Sequence, residues 1–524
     1  MASTFFGLTI AYTGLQAAQT SINVTSHNLA NINTPGYTKE AATQQASDAL
    51  RTYSTYGTIG SGVTVTGIDQ TRDSYYDEKY RNNMTNYGEY EAKHNYMTQI
   101  EDYLNEFKLD GYSKEYKNFF SAVNQLSLTP SDESCKNQLI NNAKSMTDYF
   151  NTLAANLRNV QADANNEIKD AVEHINSLAQ NIASLNKQIN QIEACYGNAN
   201  DLRDQRNALV DELSQVVNIT TNEVDLGNNL TSYQISINGQ TLVDTYEFHT
   251  LECVSRDELR NASDADGLYD IQWSDGNKFD IYSKTLGGQL KALVDIRDGC
   301  NGEIESVSVD ANGNYVEDHD GNIITETNAL AEDNTIYKGV PYYQSQLNQF
   351  IRTFAQAVND ILKTGYRSDA DVDNAENRGI SLFVVQDNTR AITATNITVN
   401  KELIDDPNRL ATKSSVGTGE ANADIIEQIN DLQSAKIFDG GTGSYFLESI
   451  VSDMSIDSNK SKNFLANYTN LKTSIQNQRL SVMGVDTDEE AMDLVKFQQA
   501  YNLSSKMMTV MNDIYDKLIN GTGV

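Results

Sequence analysis

Hydrophobic positions at both ends of the chain repeat at alternating steps of three and four residues. Near the N-terminus the repeat runs through Leu8, Ala11, Leu15, Ala18, Ile22, Thr25 and Leu29. Near the C-terminus it runs through Leu494, Phe497, Tyr501, Ser504, Met508, Met511, Tyr515 and Leu518. This spacing places one narrow apolar seam along a helix. The sequence therefore predicts a helix with a single seam at each end of the chain.

The N-terminal helix is distinguished by its lack of formal charge. Residues 1–38 contain no Asp, Glu, Lys or Arg, whereas the composition of the whole chain predicts roughly eight. Neutral polar side chains suit burial between neighbouring protein chains, where charged groups would have to be desolvated. We therefore expect both seams, apart from Ser504, to form an assembly interface. The alternative is a helix pair that only packs onto the body of its own chain.

The N-terminal seam has only four large apolar residues, which limits the stability of the isolated helix in water. Ordering each backbone residue costs about 1–2 kcal/mol, and burying each large side chain returns roughly 1.5–3 kcal/mol. We therefore expect both chain ends to be poorly ordered in the isolated subunit and to become helical on assembly.

The rest of the chain predicts a mainly α, elongated, multidomain protein with paired terminal helices. Turn dipeptides become frequent only after about residue 218, where they separate alternating apolar runs, and helical spacing returns near Leu347. A helical-bundle rod domain interrupted by an all-β insert follows from this order. The expected domains are a terminal coiled coil (1–48 and 484–524), a discontinuous helical rod domain (49–218 and 340–483) and an inserted β domain (219–339).

Two hairpin registers in the β insert can be predicted from side-chain alternation. A two-residue turn places Ile235 opposite Leu242, so that both apolar side chains share a face. A three-residue loop at 275–277 places Trp273 opposite Phe279. A shorter loop would instead pair an aromatic ring with a lysine.

Charge and composition exclude several classes of function. The net charge of −33 would repel nucleic acid and anionic membranes, so neither is an expected partner. No apolar run is long enough to span a membrane, and the N-terminus lacks the features of a cleavable secretory signal. The four cysteines lie far apart in the sequence and form no CxxC pair. The sequence does not decide whether Cys253 and Cys300 form a disulfide.

Motifs for catalysis and for cofactor binding are missing from the sequence. It contains no HExxH, GxSxG or phosphate-binding Gly-Lys loop. The best metal candidate is an Asp- and Asn-rich segment whose spacing fails as an EF-hand, because Tyr315 replaces the required Gly and Gly321 the required Glu. We therefore expect no catalytic residue, no cofactor and no metal site. The members of that segment are Asp310, Asn312, Asn314, Asp318 and Asp320.

A turn motif after the first helix carries the most specific signal. Pro35 cannot continue a helix, and Pro35-Gly36 fits the central positions of a type II turn, where Gly supplies a positive φ. The segment 30–38 resembles the ANxxTPGY signature of bacterial flagellar rod, hook and hook-associated proteins, and residues 484–501 resemble their C-terminal helix. The residues of the turn motif are Asn31, Asn33, Thr34, Pro35, Gly36 and Tyr37.

This resemblance implies a structural, non-enzymatic subunit of the extracellular bacterial flagellum, at the junction between hook and filament. It implies that the terminal helices form the inner tube of the axial structure and that export uses the flagellar type III route. The implied partners are copies of the chain in a ring, hook protein on one side, hook-associated protein 3 on the other, and an export chaperone. The alternatives are that the chain is itself hook-associated protein 3 or hook protein, or a secreted adhesin or enzyme carried by the β insert.

Overall fold

The protein is mainly helical, as the sequence predicts. The computed structural model describes residues 6–51, 58–106, 112–256, 259–261, 263–308, 316, 325–329, 336–368, 377–386, 391–438 and 440–521. Its helices are α1 (Phe6–Asn31), α2 (Ser74–Glu106), α3 (Tyr112–Leu128), α4 (Glu133–Glu193), α5 (Asn200–Val216), α6 (Gly288–Asp298), α7 (Val340–Thr364), α8 (Lys401–Asp405), α9 (Asp424–Asp431), α10 (Gly443–Met483) and α11 (Thr487–Asn520). Within the described ranges, no helix combines the length and hydropathy that crossing a bilayer requires.

The strands form small antiparallel sheets. They are β1 (Glu40–Ala46), β2 (Leu50–Arg51), β3 (Thr58–Ile59), β4 (Val63–Gln70), β5 (Thr220–Gly227), β6 (Leu230–Ile237), β7 (Gln240–Asp244), β8 (Glu247–Phe248), β9 (Leu251–Ser255), β10 (Tyr269–Trp273), β11 (Glu303–Val307), β12 (Thr325–Ala329), β13 (Phe383–Val385) and β14 (Ile397–Val399). The largest sheet has the order β5-β6-β7-β8, and the others are two-stranded ribbons such as β1-β4.

The chain divides into two compact units, each made from separate stretches of sequence. The first unit consists of Met1–Tyr87, Ile175–Thr250 and Tyr468–Val524, and the second of Gly88–His174 and Leu251–Asn467. Residues 219–339 contribute to both units and contain α6, so the expectation that this segment is entirely β is wrong. Turn dipeptides mark local hairpins, and they carry no information about which body a hairpin packs against. The division into three domains stays a prediction.

The β6-β7 hairpin has the predicted two-residue turn and a different register. Ile237 pairs with Gln240, and Asn238 and Gly239 between them have φ of 50° and 81°. Beyond that turn the pairing shifts at a β-bulge, so Ile235 lies opposite Val243. The predicted pairing with Leu242 is wrong because a bulge inserts one extra residue, which alternation alone does not reveal.

The register at Trp273 also differs from the prediction. The Trp273 backbone N–H donates to the Asn277 carbonyl at 2.8 Å, and the Phe279 N–H donates to the Ile271 carbonyl at 3.2 Å. Trp273 therefore lies opposite Asn277, and the predicted pairing with Phe279 is wrong. The two aromatic rings still meet diagonally at 5.9 Å between centroids, in a T-shaped arrangement. This diagonal contact buries both rings without placing them directly opposite each other.

An aromatic cluster forms the core of the second unit around α7. The Phe354 ring lies 5.5 Å from Phe119 and 5.7 Å from Phe383, centroid to centroid. The Phe350 ring stacks on Phe438 at 4.9 Å. All five rings are buried, so α7 is held by side chains from several different elements.

Candidate assembly surface

The helices α1 and α11, from opposite ends of the chain, pack along each other. The N-terminus of α11 is capped by the Asp486 carboxylate, which accepts from the backbone N–H groups of Asp488 and Glu489 at 2.8 and 3.2 Å. The acidic first turn and Lys517 in the last turn complement the helix dipole. Because α1 has no charged residue in its first or last turn, its stability depends on packing.

Small residues allow the two helices to approach closely. A Cβ added to Gly7 would lie 2.5 Å from Met511 Cε, and one added to Gly14 would lie 3.2 Å from Ser504 Oγ. The seam positions of both helices are buried or half-buried, except Leu518, which is 52% exposed. The two predicted seams therefore face each other within a single chain. Their role as contacts between subunits stays a prediction.

A second face of α1 packs on the β1-β4 ribbon, and sequence reasoning missed it. Ser21 Oγ accepts from the Gln44 side chain at 2.9 Å, and Thr13 Oγ1 accepts from the Val63 N–H at 3.4 Å. A Cβ at Gly62 would collide with Thr13. In the structure one line of buried residues follows steps of four, three and four along α1, but two of its four members are polar, so apolar spacing alone does not mark this face. These residues are Ala17, Ser21, Val24 and Asn28.

The remaining face of α1 is solvent-exposed and made of neutral side chains. The Gln16 side-chain amide donates to Tyr12 Oη at 2.9 Å, and the Gln19 amide donates to Asn23 Oδ1 at 3.1 Å. These bonds keep the polar atoms partly satisfied along the helix. The exposed face is thus free of charge, as expected for a surface that is later covered by protein.

The opposite side of α11 carries an exposed line of apolar residues that sequence reasoning did not single out. Leu503, Met507, Val510 and Ile514 follow steps of four, three and four, and their exposures are 64%, 51%, 54% and 46%. We call these four residues the outer stripe. Contiguous exposed apolar residues mark interaction surfaces more often than scattered ones do.

The turn after α1 has the predicted type II geometry. The Tyr37 N–H donates to the Thr34 carbonyl at 3.2 Å, and Gly36 has a φ of 82°. Thr34 Oγ1 donates to Asn31 Oδ1 at 3.2 Å, which ties the turn to the end of the helix. Asn33, Thr34, Pro35 and Gly36 are exposed, whereas Asn31 and Tyr37 are half-buried.

Asn28 and Tyr37 hold the turn against the following strand. Tyr37 Oη donates to Asn28 Oδ1 at 2.8 Å, and the Asn28 amide donates to the Glu40 carbonyl at 2.9 Å. Asn28 Oδ1 also accepts from the Glu40 N–H at 3.0 Å. Burial raises the pKa of Tyr37, and the nearby carboxylate of Glu40 adds to this shift. Tyr37 therefore remains a neutral hydrogen-bond donor at physiological pH.

Asp204 on α5 anchors the residue that follows the turn motif. Its carboxylate accepts from the Thr38 N–H and from Thr38 Oγ1, both at 2.8 Å, and forms an ion pair with Arg72 at 2.9 Å. Burial raises the pKa of Asp204, although the bonds from Thr38 and the charge of Arg72 work in the opposite direction. Asp204 thus fixes the direction in which the chain leaves α1.

Arg72 continues this anchor into a chain of alternating charges. It pairs with Asp77 at 2.6 Å, and Asp77 also pairs with Arg479 at 2.8 Å. Asp211 accepts from both Arg479 at 2.6 Å and Arg81 at 2.8 Å. Each carboxylate thus bridges two guanidinium groups, which links α2, α5 and α10 near the base of the terminal helices.

Lys39 links the strand after the turn to the start of α11. Its ammonium lies 2.6 Å from Glu489 and 3.2 Å from the buried carboxylate of Glu490. Its backbone N–H donates to the Met483 carbonyl at 2.8 Å. Burial works against the charged form of Lys39, yet the hydrogen bonds with Glu489 and Glu490 raise its pKa.

Three residues beside the turn have side chains that could ligate a metal. Ligand atoms of His27, Glu40 and Asp201 lie within 4.8 Å of one another. Hydrogen bonds already occupy two of these groups, since His27 Nδ1 lies 3.2 Å from both Glu40 Oε2 and Tyr37 Oη. His27 and Glu40 thus take part in the hydrogen bonding around the turn, whereas Asp201 Oδ2 lies 4.0 Å from His27 Nε2. The absence of a metal site stays a prediction.

Two further expectations concern acidic and sulfur-containing side chains. The Asp- and Asn-rich segment from Asp310 to Asp320 lies outside the described residues, apart from residue 316.

All four cysteines lie within the described ranges and carry free thiols, so Cys253 and Cys300 are not bridged. Cys300 is buried and Cys195 is exposed.

Family profiles match three parts of the chain. The flagellar hook-associated protein FlgK helical domain matches residues 97–383, which is more than half of the 524 residues. The flagella basal body rod protein profile matches residues 8–38, and the flagellar basal body rod FlgEFG protein C-terminal profile matches residues 476–521. The former covers most of α1 plus the turn, and the latter covers the end of α10 and all of α11.

Similar proteins extend over almost the whole chain. Flagellar hook-associated protein 1 of Bacillus subtilis is 26% identical, and the alignment covers 100% of this chain and 99% of that protein. The Escherichia coli protein of the same name is 26% identical over 97% and 98%. The flagellar hook junction protein FlgK from Burkholderia pseudomallei has a similar fold, with a TM-score of 0.55 at 14% identity, covering 77% of this chain and 99% of that one.

Proposed function

Because this chain belongs to the flagellar hook-associated protein FlgK family, we propose that it is a structural subunit of the bacterial flagellum that forms the junction between hook and filament. The proteins that resemble it over their full length carry the name flagellar hook-associated protein 1. The subunit is non-enzymatic and acts by assembling with copies of itself and with other axial components.

The paired terminal helices are the observation that carries this proposal. Their seams pack against each other within the chain. The neutral face of α1 and the outer stripe of α11 remain exposed. Contact between that apolar stripe and water is unfavourable in the single subunit. Packing against a neighbouring copy would remove the stripe from water. We infer that this outer surface contacts neighbouring subunits in the inner tube.

The finer assignments are proposals that rest on the same family membership. The subunit leaves the cell unfolded through the flagellar type III route with the help of an export chaperone. In the extracellular flagellum it forms a ring, with hook protein on one side and hook-associated protein 3 on the other. The anchor at Thr38 and Asp204 sets the angle between the terminal helices and the rest of the first unit, which each assembled copy must reproduce.

Immuno-labelling of intact flagella tests the position. Antibody signal confined to the boundary between hook and filament supports the proposal. Signal along the hook would indicate hook protein. Signal displaced from the boundary toward the filament would indicate hook-associated protein 3, and hydrolysis or ligand binding mapped to residues 219–339 would favour an adhesin or enzyme.

Substitutions in the outer stripe test the mechanism. Sequence reasoning would place Glu at Ala11 or Ala18, but these are only 4% and 5% exposed, so such variants would also disturb the α1–α11 pair. Val510→Asp at 54% exposure should melt like the wild type and yet fail to enter the axial structure, because each assembled copy would bury an unpaired carboxylate. Leu226→Asp, 61% exposed on β5, is the matched control and should assemble. Normal assembly of Val510→Asp would contradict this role for the stripe.

A further inference from the structure

The exposed sides of α1 and α11 have matching spacing. The neutral face of α1 follows steps of four, three and four, and the outer stripe follows the same steps from Leu503 to Ile514. Two helical faces with equal spacing can interlock along their length, as in a coiled coil. Neither face contains a charged residue, so contact between them would bury no ion. The residues of the neutral face are Tyr12, Gln16, Gln19 and Asn23.

The two faces lie on opposite flanks of the helix pair. Gly7 lies beside Met511 and Gly14 beside Ser504, so residue numbers rise along α1 while they fall along α11, and the helices are antiparallel. At 3.6 residues per turn, the neutral face and the outer stripe each lie roughly 90–120° round their own helix from the seam. The neutral face follows its seam in residue order and the stripe precedes its seam. In an antiparallel pair, these two rotations point to opposite flanks.

This placement determines how copies of the chain can meet. A closed ring joins each copy to the next through two different surfaces, whereas contact between identical surfaces joins copies in pairs and stops there. The flank that carries the outer stripe must therefore meet a different flank of the neighbouring copy. Within the described residues of the helix pair, the flank opposite the stripe presents the neutral face of α1.

We propose, on the premise of the ring put forward as the function of this chain, that the outer stripe of one copy packs along the neutral face of α1 in the next copy. Copies in a flat ring stand at the same height. Since Tyr12 lies between the two glycines that contact α11, it is about level with Met507 of the neighbouring copy.

Tyr12 and Met507 are suited to such a contact. Tyr12 is 48% exposed and Met507 is 51% exposed, so both side chains are available to a neighbouring copy. A thioether packs favourably against an aromatic ring. The Gln16 amide already donates to Tyr12 Oη at 2.9 Å, so the hydroxyl keeps a hydrogen bond when the ring is covered.

Cysteine crosslinking of the assembled protein tests this contact. One chain carries Tyr12→Cys and Met507→Cys, and its exposed Cys195 is replaced by Ser. Because the two new thiols lie on opposite flanks, a disulfide between them can form only between copies. Oxidation of isolated flagella with copper–phenanthroline should give a ladder of dimers and larger multimers on a non-reducing gel. Assembled protein that gives no ladder would overturn the proposal.

Two control variants exclude other arrangements of the copies. Thr509 is exposed on α11 and lies on the flank that carries the neutral face, so Tyr12→Cys combined with Thr509→Cys should give no ladder. Met507→Cys without Tyr12→Cys should remain a monomer on the gel. A dimer of that single variant would show that stripes contact stripes, and it would overturn the proposal, as would a ladder from the Thr509 control.

Charge rescue covers the case in which the cysteine variants do not assemble. Gln16 and Leu503 are both exposed and about level with each other, so Gln16→Lys and Leu503→Glu should each melt like the wild type. Each single variant should enter the axial structure poorly, because assembly would bury an unpaired charge. The double variant pairs the two charges and should enter about tenfold more efficiently than either single variant. A double variant no better than the single ones would overturn the proposal.

Failure of this contact is distinguishable from failure of the proposed function. Normal assembly of Val510→Asp would contradict any role of the outer stripe between copies. If the chain with Tyr12→Cys and Met507→Cys assembles at the boundary between hook and filament and gives no ladder, the proposed function stands. In that case only the pairing of the stripe with the neutral face is wrong.

Discussion

The helices α7 and α11 have the same apolar periodicity and opposite surroundings. In α7, thirteen of 25 residues are buried, including Phe350 and Phe354. In α11, Glu490 is the one buried residue among the 34 of the helix. Periodicity therefore predicts a helix in both places, and it does not distinguish a helix closed inside its unit from one that leaves apolar surface in water.

The difference lies in the partners that each helix finds. Large aromatic rings from several elements surround α7, so its packing is complete without another chain. The α1–α11 contact depends on small residues such as Gly7 and Gly14 and on half-buried seam positions, and it leaves the outer stripe uncovered. We therefore expect a subunit built in this way to have a stable body and ends that gain most of their stability from neighbouring copies.

The largest expected effect is on the core around α7. Phe354 is 1% exposed and contacts rings on several elements, so Phe354→Ala should lower the free energy of unfolding of the second unit by about 3–5 kcal/mol. Trp273 fluorescence during urea unfolding measures this change. Met508→Ala, on the half-buried seam of α11, is the control variant. It should leave the urea midpoint of the Trp273 transition unchanged. A decrease in the free energy of unfolding of less than about 1 kcal/mol for Phe354→Ala would contradict the contrast drawn between α7 and α11.

Hydrogen exchange on the isolated subunit should show the next largest difference. We expect peptides from residues 6–38 and 488–520 to exchange about a hundredfold faster, or more, than peptides from 145–217, because local opening of the ends exposes little apolar surface. Mass spectrometry of the exchanging subunit measures this directly. Equal protection of the ends and of 145–217 would show that the α1–α11 pair is stable without neighbours.

The parts of the fold that depend on local spacing could be predicted from sequence. The type II turn at Pro35-Gly36 and the two seams follow from residue types that fix backbone geometry or helix faces. The strand registers at Ile235 and Trp273 could not be predicted, since a bulge or a changed loop shifts pairing without altering the turn residues. Alternation constrains the face of a side chain more strongly than it constrains the partner.

The anchor of the turn required contacts that are distant in sequence. Asp204 holds Thr38 across 166 positions, and Arg479 pairs with carboxylates on two other helices. A single sequence gives no sign of such pairs, because polar residues on helix faces are ordinarily solvated. The outer stripe could have been found, since its spacing matches that of the seams.

The smallest expected effect concerns Lys39, which joins the turn to α11. Its folded pKa is raised above the ordinary 10.5, so the charged form favours the folded state. This stability is fully present below pH about 10.5 and is lost as the pH rises through the folded pKa. Lys39→Met should lower the stability of the first unit by about 1 kcal/mol at pH 8, because Glu490 would lose its ion-pair partner in a buried position.

Far-UV circular dichroism melts at a series of pH values separate this link from ordinary surface charge. The gap between wild type and Lys39→Met should stay constant from pH 7 to 10 and shrink at higher pH, where the wild-type lysine also becomes neutral. Lys496→Met, which removes an exposed ammonium paired with Asp493 on α11, is the control and should melt like the wild type throughout. A gap that stays unchanged well above pH 10.5 would mean that Lys39 acts through packing of its aliphatic chain and not through its charge.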